Sequence, residues 1–162
     1  TSVHKLIDLV MKSKIKFSND MVWLNDEDVS TLIRTELIGK LASEIAIYEE
    51  LRASIMDFQR EFCRLPGLVA EGRDMTSIVF PNANLKIYLN ASVDERAKRR
   101  YKQLISKENS VNLSVLAQEI KIRDSRDKDR EVSPLVIVKE AYVLETDNLT
   151  EDQTVNKILS FI

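Results

Sequence analysis

Residues 84–100 read NLKIYLNASVDERAKRR. Leu85, Ile87, Tyr88 and Leu89 make a short apolar run, the pattern of a strand buried on both faces. Ser92 and Glu95 follow at the spacing of a capping box, which opens a helix over about 93–106. A buried strand feeding a capped helix is half of a β-α-β unit. Its recurrence predicts an α/β chain built on a parallel sheet.

The rhythm extends to both sides. Upstream, GLVAEG at 67–72 reads as another strand. Downstream, Leu113, Leu116 and Ile120 share a helical face over 113–127. EAYVLETD at 140–147 is a strand, and Thr150 with Gln153 caps a last helix carrying Val155, Ile158, Leu159 and Ile162. Residues 106–112, SKENSVN, are a polar break.

The first part of the chain has a different pattern. Residues 1–12 carry the apolar spacing of a helix. KIKFS and MVWLN flank Asn19-Asp20, which predicts a β-hairpin, and DEDVS adds a small third strand. Apolar residues at helical spacing then predict helices over 31–44 and 47–64, the second stopped by Pro66. This segment is expected to be a subdomain inserted into, or preceding, the α/β part.

Composition excludes several classes. The 162 residues, 44% apolar and 31% charged, suffice for one ordinary core and are unlike a disordered chain. A net charge of −2 gives no general attraction to nucleic acid or acidic membranes, so an anion site must come from local clustering. No apolar run reaches the roughly 20 residues of a membrane span. The lone Cys63 forms no internal disulfide and is expected to be a packed thiol in a reducing cytoplasm. His4 has no ligand-spaced partner, and no Cys/His/Asp cluster has metal-binding spacing. Trp23 is expected to pack within the hairpin.

Three charged clusters remain. Residues 71–75, EGRDM, follow the 67–72 strand, and parallel sheets bind ligands at the carboxyl ends of strands. Gly72 would let the backbone turn or approach a ligand, Arg73 suits a phosphate and Asp74 suits an amino group. Read alone, the same residues are equally a surface ion pair. On the helix at 93–106, Arg96, Arg99 and Arg100 stand at i, i+3 and i+4. They repel one another unless an anion sits between them, or they form a solvated face with Asp94 and Glu95. The third cluster sets Arg123, Arg126, Asp127 and Arg130 at i, i+3, i+4 and i+7. Two arginine stripes joined by a polar break suit a hairpin that closes over a polyanion, as phosphoryl transfer requires.

Taken in order, LPGLVAEGRDM, IYLNASVDERAKRR and IKIRDSRDKDR with the SPL that follows closely resemble the bacterial cytidylate kinases. IRTELIGKLAS and the LR at 51–52 resemble that family's nucleotide-binding insertion, and the likeness covers essentially the whole chain. The resemblance implies a P-loop kinase fold with a five-stranded parallel sheet and a helical lid. On it, residues 1–64 are the monophosphate-binding insertion, and 65–162 are the C-terminal part of the core with a lid at about 96–130. It implies transfer of the γ-phosphoryl group of ATP to CMP or dCMP with Mg²⁺, giving CDP or dCDP. The complete protein would be monomeric and cytoplasmic, without nucleic-acid or membrane partners. By the same resemblance, Ser43, Arg52 and Asp74 read cytosine and Arg73 contacts the acceptor phosphate. Asp127 and Arg130 touch the sugar and the acceptor side, while Arg96, Arg99, Arg100, Arg123 and Arg126 form the lid's arginine set.

The chain departs from the family in one respect above all. G-x-x-x-x-G-K-[ST] occurs nowhere in it. The likeness begins about sixty residues into a family member, allowing for the usual strand, loop and helix of a P-loop. The expectation is therefore that a P-loop segment precedes Thr1 or is supplied by another chain. Without it, the chain is expected to lack kinase activity and the central strand of its sheet. Mg²⁺ would be held mainly by phosphates and by residues outside this sequence. Two other classes stay open: a non-catalytic nucleotide- or polyanion-binding regulatory protein, and an RNA-binding helix at 96–102, which only Tyr101 supports with an aromatic ring.

Overall fold

The computed structural model describes residues 2–105 and 112–162. The chain divides into two compact units, Thr1–Ala70 and Glu71–Ile162. Most of the 106–112 break lies outside the described residues.

In the first unit, helix α1 (Val3–Lys12) is capped by Ser2, whose hydroxyl accepts from the Lys5 N–H at 3.4 Å. Strands β1 (Ile15–Ser18), β2 (Met21–Leu24) and β3 (Glu27–Asp28) form an antiparallel meander in that order. Both turns use an Asn-Asp pair at positive φ, Asn19 and Asp20 at 51° and 62°, Asn25 and Asp26 at 50° and 66°. Two such residues in succession match the twist of the flanking strands, which is why this dipeptide makes a hairpin. Helix α2 (Glu36–Ile45) starts later than the spacing predicts. Residues Leu32–Arg34 form a 3₁₀ turn instead, and Thr35, extended at ψ 152°, breaks the run and caps α2. Helix α3 (Glu49–Arg60) ends four residues short of the expected 64. Cys63 therefore lies beyond the helix and is exposed, not packed. Leu51 of α3 is the most deeply buried large side chain, at 2% exposure.

In the second unit, strand β4 (Ile87–Asn90) enters helix α4 (Val93–Ile105), and helix α5 (Leu113–Asp129) precedes strand β5 (Tyr142–Glu145) and helix α6 (Glu151–Leu159). β4 and β5 pair in parallel, with Ile87 opposite Tyr142 and Asn90 opposite Glu145. The α/β class and its parallel pairing agree with the sequence, but the described residues supply two strands of that sheet and not five. GLVAEG is not a strand: 67–71 has no ladder partner among the described residues, and Val69 is fully exposed. An apolar run shows that a segment is fit for burial, but a strand exists only where a neighbour completes its hydrogen bonds.

Helices α4 and α5 pack through Ala97, Leu104 and Leu116, with Tyr101, Ala117 and Ile120 around them. Burial of these side chains is what holds the two arginine-bearing helices side by side. At the start of α6 the capping box forms in full: Gln153 N–H donates to the Thr150 hydroxyl, and the Gln153 side chain accepts from the Thr150 N–H. At the start of α4 only half of it forms. Ser92 accepts from the Glu95 N–H at 3.2 Å, but Asp147 takes the place of Glu95 and accepts from the Ser92 N–H at 2.9 Å. Glu95 turns instead to Arg99.

Candidate functional site

The second unit gathers guanidinium groups around two carboxylates on one turn of α5. Residues three apart on a helix share a face, so Asp124 and Asp127 point the same way. Asp127 is 4% exposed. Its Oδ2 lies 3.3 Å from Arg73 Nε and 3.8 Å from Arg123 Nε, and its Oδ1 lies 3.9 Å from Arg130 Nη1. Arg130 caps the C-terminus of α5, and its Nε donates to the Ser133 carbonyl. The Asp127 carbonyl accepts from the Leu135 N–H at 2.7 Å, tying the following loop back to the helix.

Asp124 accepts a forked pair from Arg96 of α4, Nη1 to Oδ1 at 2.9 Å and Nη2 to Oδ2. Arg73 Nη1 also reaches Oδ1, at 3.4 Å. Burial pushes the Asp124 carboxyl up, but the Arg96 hydrogen bond and the charges of Arg96 and Arg73 outweigh it, leaving the group below its ordinary value. The Asp124 hydrogen bond in turn raises the Arg96 guanidinium.

The remaining α4 arginines diverge. Arg99 reaches the carboxyl end of β5: Nη1 donates to Thr146 Oγ1 at 3.2 Å, Nη2 donates to the Thr146 carbonyl, and Nε donates to Glu95 at 2.9 Å. Thr146 is itself buried and donates to the Asn90 carbonyl at the end of β4. Arg100 donates to Gln103 at 3.3 Å, and Arg126 sits half-buried on α5. Arg96 thus pairs across to Asp124 of α5, and Arg99 with Glu95 one turn earlier on its own helix.

Arg73 and Asp74 lead into a wide turn at Met75–Val79, where the Asp74 carbonyl accepts from Ile78 at 2.9 Å and Val79 at 3.2 Å. Such i→i+5 turns are rare and concentrate at functional sites. Asp74 is 7% exposed. Gly72 does not need its freedom of φ here. It makes room: a Cβ would lie 2.9 Å from Met75 Cγ. In the first unit, Ser43 is buried on α2, and Arg52 of α3 reaches back from Nη1 to the Ala46 carbonyl at 3.4 Å.

The sequence pattern passes over Asp124. The available signal is its place one turn before Asp127, but its partners Arg96 and Arg73 lie 28 and 51 residues away. Among the described residues no three His, Cys, Asp or Glu side chains are grouped to hold a metal ion. No helix of the described residues is long and apolar enough to cross a membrane.

The family model described as cytidylate kinase matches residues 1–162. The cytidylate kinase of Cupriavidus pinatubonensis is 47% identical over 159 residues, 98% of this chain and 72% of the relative. That of Polynucleobacter asymbioticus is 47% identical over 153 residues, 94% of this chain and 70% of its own. That of Chromobacterium violaceum is 49% identical over 147 residues, 91% and 66%. A match that covers nearly all of this chain at such identity shows the family: the chain belongs to the cytidylate kinases.

Proposed function

We infer that this protein is a phosphotransferase that moves the γ-phosphoryl group of ATP to CMP or dCMP, giving CDP or dCDP. Its membership of the cytidylate kinase family over residues 1–162 is the observation that carries this reading. In the step, an oxygen of the acceptor phosphate bonds to the γ-phosphorus, and the bond to the β,γ-bridging oxygen breaks, leaving ADP. Negative charge is spread over the transferred group, so positioned cations do most of the work.

Arg73 is assigned to the acceptor phosphate. It stands half-buried, with two carboxylates steering it. Asp127 and Arg130 are assigned to the sugar and the acceptor side. Arg96, Arg99, Arg100, Arg123 and Arg126 are assigned to the closing hairpin that faces the transferred group. Asp74 is assigned to the cytosine N4 amino donor, and Ser43 and Arg52 to its O2 and N3 acceptors. Uracil carries an acceptor in place of that amino group. An unmatched buried polar group costs about 1–3 kcal/mol, one to two powers of ten in selectivity. Mg²⁺ would come with ATP, held mainly by the phosphates, and would neutralise their charge; among the described residues no three His, Cys, Asp or Glu side chains are grouped to hold it.

The test is phosphorylation by the full-length gene product. ADP formation with CMP and dCMP, well above that with UMP or AMP, is expected. Robust turnover of another monophosphate with none of CMP would sink the assignment.

A further inference from the structure

Arg96 has its three nitrogens engaged by protein. Nε donates to the Ala91 carbonyl at 3.1 Å, Nη1 to Asp124 Oδ1 at 2.9 Å, and Nη2 to Asp124 Oδ2. Arg96 is thereby fixed on α5 and against the end of β4. The same Asp124 Oδ1 receives Arg73 Nη1 at 3.4 Å. Asp127 faces the Nε side of Arg73 at 3.3 Å. Two carboxylates on one helix turn therefore hold a single guanidinium by two of its nitrogens. Asp124, with an 18% exposed side chain, is itself held by Arg96.

We propose that Asp124 is a positioning residue for phosphate recognition: anchored by Arg96, it orients Arg73 toward the acceptor phosphate. The proposal rests on the reading of Arg73 as the phosphate contact. It makes a prediction of definite sign. A carboxylate beside an anion site repels the anion, so if charge alone mattered, removing Asp124 would tighten phosphate binding. If orientation matters, removing it loosens binding, because a guanidinium that must find its geometry gives up rotamer entropy on each encounter.

The experiment measures, by calorimetry on the full-length protein, the affinities of CMP and cytidine for wild type, Asp124→Ala, Asp124→Asn and Asp124→Glu. The difference between the two ligands isolates the phosphate. Wild type should prefer CMP. Asp124→Ala and Asp124→Asn should each bind CMP about tenfold more weakly, the size of one well-placed charged hydrogen bond. Cytidine affinity should not change, and Asp124→Glu should recover part of the loss. Unchanged or tighter CMP binding in the Ala and Asn variants would overturn the proposal. Equal weakening of CMP and cytidine would do the same, by showing a general structural role. Should Asp124→Ala not fold, the isosteric Asn variant decides alone. A wild type that binds CMP no better than cytidine would refute the reading of Arg73 itself, before any variant is made.

Discussion

The sharpest stability test is at Asp127, whose carboxylate faces the Arg130 side chain, 7% exposed, at 3.9 Å. Two unit charges about 4 Å apart attract by about 4 kcal/mol at the effective dielectric suited to proteins. Arg73 and Arg123 add little, because their side chains are 34% and 51% exposed and water screens them. Replacing Asp127 with Asn keeps the volume and removes the negative charge that faces the buried Arg130 side chain. Breaking a buried pair from one side costs about 3–5 kcal/mol. The long pair distance puts the estimate at the low end, about 3 kcal/mol. For a cooperative unit the size of Glu71–Ile162, that is about 12–24 °C in Tm. Urea denaturation followed by circular dichroism reads it directly. Arg130→Met added to Asp127→Asn should recover more than about 1 kcal/mol, since the buried positive charge goes with it. A single Asn variant within about 0.5 kcal/mol of wild type would refute the reasoning, and so would a double variant worse than the single one.

Three further outcomes follow. Asp124 titrates below its ordinary value in the folded protein, so its contribution is complete above an unfolded pKa of about 3.9 and is lost as pH falls through the lower folded value. The Tm gap between wild type and Asp124→Asn should be flat from about pH 5 to 8 and shrink below about pH 4. Leu116→Ala, at a site 6% exposed between α4 and α5, should cost about 2–4 kcal/mol in the same urea titration. Thr150→Ala removes the hydroxyl half of the α6 capping box and should cost about 1 kcal/mol, with Thr150→Ser nearly neutral.

What was legible in the sequence was local. The Asn19-Asp20 turn and the Thr150–Gln153 box are decided by residues a few positions apart, and both stand in the structure. The 93–106 helix is found over Val93–Ile105 for the same reason. GLVAEG was misread because strand identity belongs to a pair and not to a run. Half of the Ser92–Glu95 box was misread because Asp147, 55 residues away, competes for the Ser92 N–H. The arginine stripes were visible as charge spacing, but their partners were not. Spacing on one helix cannot show that Arg96 turns to Asp124 while Arg99, one turn on, turns to Thr146.

That divergence has a mechanical consequence for α4. Arg99 is bolted to Thr146, the residue that follows β5, and Ser92 to Asp147 next to it. The first two turns of α4, as far as Arg99, are thus rooted by side-chain hydrogen bonds, while Leu104 beyond them is held by packing against Leu116 of α5. From Arg99 to Ile105 the helix runs about 9 Å at its rise of 1.5 Å per residue. A tilt of about 20° about that root would carry the tip about 3 Å and leave the anchored arginine in place. Because Leu104 near that tip packs against Leu116, any such tilt would have to carry α5 along with α4.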